Sequence, residues 1–175
     1  YGGLLDLTGR DVVIPTNCQI RLHSDPTNGG SIQWFAQSVT VQGGGVIDAS
    51  GKGFQYNYGP GRGSGSTVGG SHGGRGGSYT GLSGPTNGSE IVPSWPGSGG
   101  SHGGYGGGLV WLIADVSVRV DGTINADGDN QYTAANAGGG ILLVSPSFSG
   151  SGTLRAKGGS SDLGSWGRAG GGGGA

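Results

Sequence analysis

The apolar residues of this chain fall into short runs that follow glycines and into stretches that alternate with polar residues. The three runs read IQWFA, LVWLIA and ILLV in chain order. The alternation is clearest where Ser117 and Arg119 separate Val116, Val118 and Val120. Alternation with a period of two among β-branched residues is typical of a strand with one buried face. The pattern therefore predicts short β-strands.

These strands belong to a sequence repeat. Residues 107–128 align without a gap on residues 30–51 at an offset of 77 residues, and residues 138–159 form a third, more divergent copy. The copies end in the related segments GVIDASG, GTINADG and GTLRAKG. Each copy predicts a pair of strands followed by a short glycine-bounded segment, in which a larger aliphatic residue and an alanine lie on one side and suit a narrow core, and repetition at this level sets the fold.

The gapless alignment also predicts which side chains share a column of the sheet. It places Trp111 on Trp34 and Val116 on Val39. Both tryptophans are therefore expected in the core or in stacking between neighbouring repeats.

A unit of this size cannot bury its apolar side alone, whereas stacking units buries a continuous core and pairs the strand edges. We therefore predict an all-β fold, a right-handed parallel β-helix or β-solenoid with long glycine-rich excursions. Two packed antiparallel sheets in a β-sandwich are the alternative.

The chain divides into seven predicted segments. The first holds three strand candidates in a degenerate first coil, and the last is a glycine-rich tail that leads to a missing strand, as if the chain belonged to a longer protein. In chain order the segments are 1–29 (N-terminal strands), 30–51 (repeat 1), 52–106 (glycine-rich excursion), 107–128 (repeat 2), 129–137 (short excursion), 138–159 (repeat 3) and 160–175 (tail).

Glycine accounts for 47 of the 175 residues, without the three-residue period of collagen. The excursion 52–106 has too few apolar residues for a core of its own. Its order is not random, because GGSHGG occurs at residues 69–74 and again at residues 99–104. We expect extended, polyproline-II-like segments packed on the strands, with a flexible surface loop as the alternative.

Charge excludes one class of partner. Only 11% of the residues are charged and the net charge is -1, so the chain lacks the basic surface of a nucleic-acid binder. No apolar run has the length of a membrane span. The single cysteine, Cys18, cannot form an internal disulfide and is expected to be buried.

Candidate chemistry is sparse. His72 and His102 lie in the two GGSHGG copies, but no ligand stands at the spacing of a metal site, so no metal or other cofactor is predicted. The acids are few, and the repeat column of Asp48, Asn125 and Arg155 is typical of an exposed face. No pair of carboxylates is placed for glycoside hydrolysis, and we predict that the chain is not an enzyme.

Aromatic residues in the excursions are better candidates for contacts. Trp95 and Trp166 could stack on sugars or contact another subunit, and the same role is open to further residues of the glycine-rich segments. These further residues are His72, His102, Tyr79 and Tyr105. Asn87 begins the sequon Asn-Gly-Ser and is a candidate for N-glycosylation.

The stretches GGSHGGRGG, GTINADG and GTLRAKGG, with the closing polyglycine, resemble glycine-rich β-helical modules of large secreted and cell-surface proteins of bacteria and some protists. The resemblance covers residues 30–175 and implies an extracellular structural or adhesive module without catalytic residues. We therefore expect a building block of a repetitive surface protein or filament, whose partners are copies of itself or flanking modules. A carbohydrate-binding adhesion module is the alternative, with glycans as partners.

Overall fold

A computed structural model describes residues 2–161 and 169–175, and these residues contain β-strands and no helix. The prediction of an all-β fold is thus confirmed. The strands are β1 (Gly3–Ile14), β2 (Gln19–Arg21), β3 (Ile32–Val41), β4 (Val46–Asp48), β5 (Ser64–Val68), β6 (Ser78–Leu82), β7 (Leu109–Val120), β8 (Thr123–Asn125), β9 (Gly140–Val144), β10 (Phe148–Ser149) and β11 (Thr153–Arg155).

Two parallel sheets contain all of these strands except β5 and β6. The first sheet has the order β1-β3-β7, and both β9 and β10 pair with the far edge of β7. The second sheet has the order β2-β4-β8-β11. The antiparallel pairing of the β-sandwich alternative is wrong, because every pair in these two sheets is parallel. Strands β5 and β6 form a separate antiparallel hairpin.

An apolar core lies between the inward faces of the two sheets. In the second sheet the column Ile20, Ile47, Ile124 and Leu154 runs across all four strands. Ile47 and Ile124 are fully buried, as are the alanines two positions after each of them. The repeated pairing of a large aliphatic residue with alanine thus fills a narrow core, as the repeat predicts.

Close backbone packing requires the glycine that begins each of the three related segments GVIDASG, GTINADG and GTLRAKG. Gly45, Gly122 and Gly152 lie directly above one another, where the chain passes from the first sheet to the second. The Thr123 amide donates to the Gly45 carbonyl at 3.0 Å, and the Thr153 amide donates to the Gly122 carbonyl at 2.9 Å. A Cβ on Gly122 would overlap the Gly45 carbonyl, so only glycine allows this spacing.

The gapless alignment is wrong in the first strand of the repeat. Trp34 pairs with Leu112, Val39 with Val118, and Ile47 with Ile124, so the offset changes from 78 to 79 and then to 77. The first change is a bulge in β7, and the second compensates through a shorter turn from β7 to β8. Trp34 is buried, as expected, whereas Trp111 lies opposite Gln33 outside the core and is only half-buried.

The N-terminal segment supplies one strand to each sheet. The first two of the three strand candidates, residues 4–7 and 12–14, form one strand, β1, with a register shift between Leu7 and Asp11. The prediction that Cys18 is buried is wrong, since its side chain is exposed. Cys18 closes the turn that begins at Pro15, and the inward alternation starts only at Ile20.

The glycine-rich segments are joined by backbone hydrogen bonds. In the C-terminal segment, the Gly171 and Gly174 amides donate to the Gly159 and Ala156 carbonyls, in antiparallel order. On another side, the carbonyls of residues 170 and 173 accept from the amides of residues 77 and 74. Bonds to the same neighbour thus recur every three residues, the period of polyproline II rather than of a strand. This period agrees with the predicted polyproline-II-like conformation.

No helix in the described part of the chain is long and apolar enough to cross a membrane.

Candidate functional site

The core is open at its N-terminal end. Strands β1 and β2 each pair on one side only within the described residues, so their other edges carry free backbone groups. Between these edges lies a depression of about 510 Å³. Its apolar lining consists of Leu5, Ile20, Leu22, Ile32 and Trp34.

The opposite end is also open, except where the Ile141 amide donates to the Ala175 carbonyl at 2.9 Å. Strands β9, β10 and β11 form this edge, beside a depression of about 450 Å³ lined by Ile141, Leu143, Phe148 and Leu154. Phe148 is 57% exposed and Leu154 is 45% exposed, although both continue columns of core residues. Free strand edges beside exposed core side chains are a site for strand addition.

A third feature surrounds Trp95, which the sequence selects as a contact candidate. Trp95 is 43% exposed, and its indole stacks on the buried Phe54, with ring centroids 6.1 Å apart and ring planes 23° apart. A depression of about 320 Å³ beside it also contains Trp111, Gln33 and Asn28. Sequence reasoning missed these three residues. The gapless alignment places Trp111 in the core, and Gln33 and Asn28 lie more than sixty residues before Trp95 in the sequence.

The two GGSHGG copies are not equivalent. His72 is fully buried, whereas His102 is exposed and its Nδ1 lies 3.4 Å from the Ser101 hydroxyl. Within the described residues, no three histidine, cysteine or acidic side chains are grouped closely enough to hold a metal ion.

Asn87 lies beside His72, and the backbone N–H of Asn87 donates to the backbone carbonyl of His72 at 3.0 Å. The polar side-chain atoms of both residues are buried and have no hydrogen-bond partner in the described part of the chain. In the folded chain the Asn87 Nδ2 is therefore inaccessible, and a glycan there would have to displace it from beside His72. Glycosylation of Asn87 stays a prediction.

Burial lowers the pKa of His72 to about 4, and the side-chain amide of Asn87, which lies beside the ring but outside hydrogen-bonding geometry, offsets this effect in part. The unfolded chain takes up this proton below pH 6.5, whereas the folded chain takes it up only near pH 4. The free energy of unfolding should therefore fall by about 3 kcal/mol as the pH drops through this window. Chemical denaturation at a series of pH values measures this change.

The two histidine contexts provide the control. In His102→Gln the free energy of unfolding should depend on pH as in the parent chain. In His72→Gln the fall of about 3 kcal/mol should be absent, so that only the pH dependence due to the carboxyl groups remains. Equal pH profiles for both variants would contradict the buried, neutral state of His72.

The remaining contact candidates are scattered. Tyr79 is 65% exposed on the β5-β6 hairpin, and Tyr105 is exposed where its amide N–H donates to Asp129 Oδ2 at 3.0 Å. Trp166 lies outside the described residues. The structure therefore brings Trp95 together with none of the other predicted contact residues that it describes.

The carboxylates mainly stabilise turns. Asp25 accepts backbone bonds from Asn28 and Thr27, and these bonds lower the pKa of Asp25, with the Asn28 amide as the largest cause. Asp121 accepts from Arg119 at 2.6 Å, which is the main reason why the pKa of Asp121 is lowered. In the predicted polar column, Asp48 pairs with Asn125 and Asn125 with Arg155.

Comparison with known proteins identifies no relative: no family model, curated protein or solved structure matches the chain.

Proposed function

We propose that this chain is a non-enzymatic extracellular structural module, a building block of a repetitive cell-surface protein or of an extracellular filament. The observation that carries the proposal is the opening of one apolar core at both ends of the same two sheets. A module whose core continues to both ends is suited to extension in a line.

The proposed architecture is a β-solenoid. The chain contributes strands to the first sheet and then to the second in four successive passes, with parallel pairing between passes. Each pass packs against its neighbouring passes only, as the units of a repeat protein do. The resemblance to glycine-rich β-helical modules supports the same arrangement.

The occupant of each open end is a second copy or a flanking module with the same columns. In the first sheet the column Leu5, Trp34, Leu112 and Leu143 is apolar throughout, and in the second sheet so is the column from Ile20 to Leu154. Placing the β9–β11 edge of one module on the β1–β2 edge of the next continues both columns. Such a head-to-tail contact does not close on itself and generates a filament.

Charged side chains at the two ends affect how strongly the modules associate. Arg21 and Arg155 end the same column, so stacked copies bring two cations together. Asp127 binds Arg155 at 2.7 Å and offsets the repulsion. Moderate salt should therefore favour association, since it screens the two arginines.

Composition supports the extracellular location. The chain has no methionine, and its only lysines are Lys52 and Lys157, so it offers few sites for oxidation or for lysine-directed proteolysis. Only 11% of its residues are charged, and its glycine-rich layer presents a small, weakly charged contact surface.

End-to-end assembly is tested by sedimentation velocity and negative-stain electron microscopy over a range of protein concentrations. The parent chain should form linear assemblies, and Leu154→Lys should remain monomeric, because a lysine at this edge blocks strand addition. Val116→Lys is the matched control, since Val116 is 52% exposed but lies on the central strand β7.

Two results would count against the proposal. One is a parent chain that stays monomeric at every concentration and also when joined to a tandem copy of itself. The other is linear assembly of Leu154→Lys with the same concentration dependence as Val116→Lys.

A further inference from the structure

Trp95 is held in a fixed orientation at the surface. It lies between Pro93 and Pro96, both of which are buried, and its ring rests on the buried Phe54. Proline fixes its own φ and restricts the residue that precedes it to extended conformations, so Pro96 limits the backbone of Trp95. An exposed aromatic ring with little freedom loses little entropy when a ligand stacks on it.

Polar side chains surround this ring. Asn28 lines the depression, and its Oδ1 accepts from the Gly30 amide at 2.8 Å, which leaves its Nδ2 as a donor without a partner among the described residues. The side-chain amide of Gln33 makes no hydrogen bond to any residue that the structure describes, and Ser94 is exposed beside Trp95. Donors and acceptors therefore stand free within a depression of about 320 Å³, at the lower end of the size of ligand sites.

The depression contains no charged side chain among its described lining residues. The set of aromatic rings, amides and hydroxyls selects a neutral ligand with one apolar face and many hydroxyl groups. We propose that this depression, defined by Trp95, Trp111, Gln33, Asn28 and Ser94, binds a neutral hexopyranose unit of a glycan. The C–H face of the sugar stacks on the Trp95 indole, and its hydroxyls bond to the Gln33 and Asn28 amides.

This site adds a binding activity to the proposed structural role, and it shares only Gly2 with the depression at the N-terminal end. Trp111 and Gln33 are paired neighbours in the middle of the first sheet and do not line the depressions at its two ends. Sugar binding and end-to-end assembly can therefore fail separately.

A proline-rich peptide is the competing ligand for an aromatic groove. The sugar is favoured because amide and hydroxyl side chains outnumber the aromatic ones, and because four glycines in the lining let a polyhydroxyl ligand approach the backbone. The competing ligand is included in the test.

The test is a titration followed by ¹H–¹⁵N spectra of the indole N–H groups. The probes are methyl glycosides of glucose, galactose, mannose and N-acetylglucosamine, linear trisaccharides of the same sugars, a glucuronic acid trisaccharide and a proline-rich decapeptide. At least one neutral sugar should shift the Trp95 signal in a saturable manner, and its trisaccharide should bind more tightly than the monosaccharide.

Variants then locate the site. Trp95→Ala should weaken binding at least about 30-fold, as expected for a stacked tryptophan at the centre of a site. Gln33→Ala should weaken it about threefold to tenfold. Tyr79→Ala is the matched control and should bind like the parent, because Tyr79 is exposed on the separate hairpin. Thermal unfolding of each variant confirms that it is folded.

The proposal is overturned if no neutral sugar shifts the Trp95 signal, if only the charged trisaccharide or the peptide does so, or if folded Trp95→Ala binds like the parent. Should Trp95→Ala not fold, Trp95→Phe decides: weaker but measurable binding supports the site, and unchanged binding contradicts it.

Discussion

Replacing Gly107 with alanine is expected to lower the free energy of unfolding by about 3 kcal/mol or more. A Cβ at this position would overlap the Ala126 carbonyl oxygen and lie 2.5 Å from the Gly139 amide nitrogen. Both obstacles are backbone atoms, which cannot rotate away. Gly107 itself is fixed by hydrogen bonds at 2.8 Å to Ala137 and from Gly97.

Gly43→Ala is the control for this change. Gly43 lies in the turn between β3 and β4, with nothing within 4 Å of an added Cβ and without a left-handed backbone. Its replacement should change the stability by less than about 1 kcal/mol, because it only reduces the freedom of the unfolded chain. Urea denaturation measures both variants. Equal stabilities would show that the glycine-rich segments are loosely packed rather than a closely packed layer.

Some of the fold follows directly from the sequence because it depends on local spacing. Residues 152–158 align with residues 122–128, and the observed pairing of Thr153, Leu154 and Arg155 with the corresponding residues of β8 agrees with that alignment. Strands β10 and β11 pair with β7 and β8 at the same offset of 30 residues, and Gly152 makes a close backbone contact with Gly122 between them. Such a column can be derived from sequence alone.

The first strand of the repeat could not be placed in this way. Two residues of β7, Asp115 and Val116, stand opposite the single Gln37 of β3, and the longer turn after β3 then restores the alignment. A bulge and a compensating turn leave the total length almost unchanged, so a gapless alignment remains plausible while most of its pairs are displaced. The exposed position of Val116 and the partly outward position of Trp111 follow from this displacement.

The candidate site could be predicted only in part. Trp95 is visible in the sequence as an aromatic residue between prolines, but its neighbours Gln33 and Asn28 lie more than sixty residues earlier. The difference between His72 and His102 is also non-local, since both have the same neighbours in sequence. What separates them is their packing, because Asn87 covers the first and solvent surrounds the second.

The register of β7 leads to the second large expected effect. Leu112→Ala should lower the free energy of unfolding by about 2–5 kcal/mol, because Leu112 is fully buried between Trp34 and Leu143 and its loss leaves a cavity. The gapless alignment places Trp111 at this point of the core instead and turns Leu112 outward. Under that alignment the loss would be small.

Two valines of β7 allow the same substitution, valine to alanine, to be compared at a buried and at an exposed position. Val118 is fully buried opposite Val39, whereas Val116 is 52% exposed at the bulge. Val118→Ala should therefore cost about 2 kcal/mol, and Val116→Ala less than about 0.5 kcal/mol, as measured by urea denaturation. The gapless alignment gives Val116 the buried place opposite Val39 and predicts comparable losses for both variants. A large loss at Val116, together with a tolerated Leu112→Ala, would restore that alignment and remove the bulge from β7.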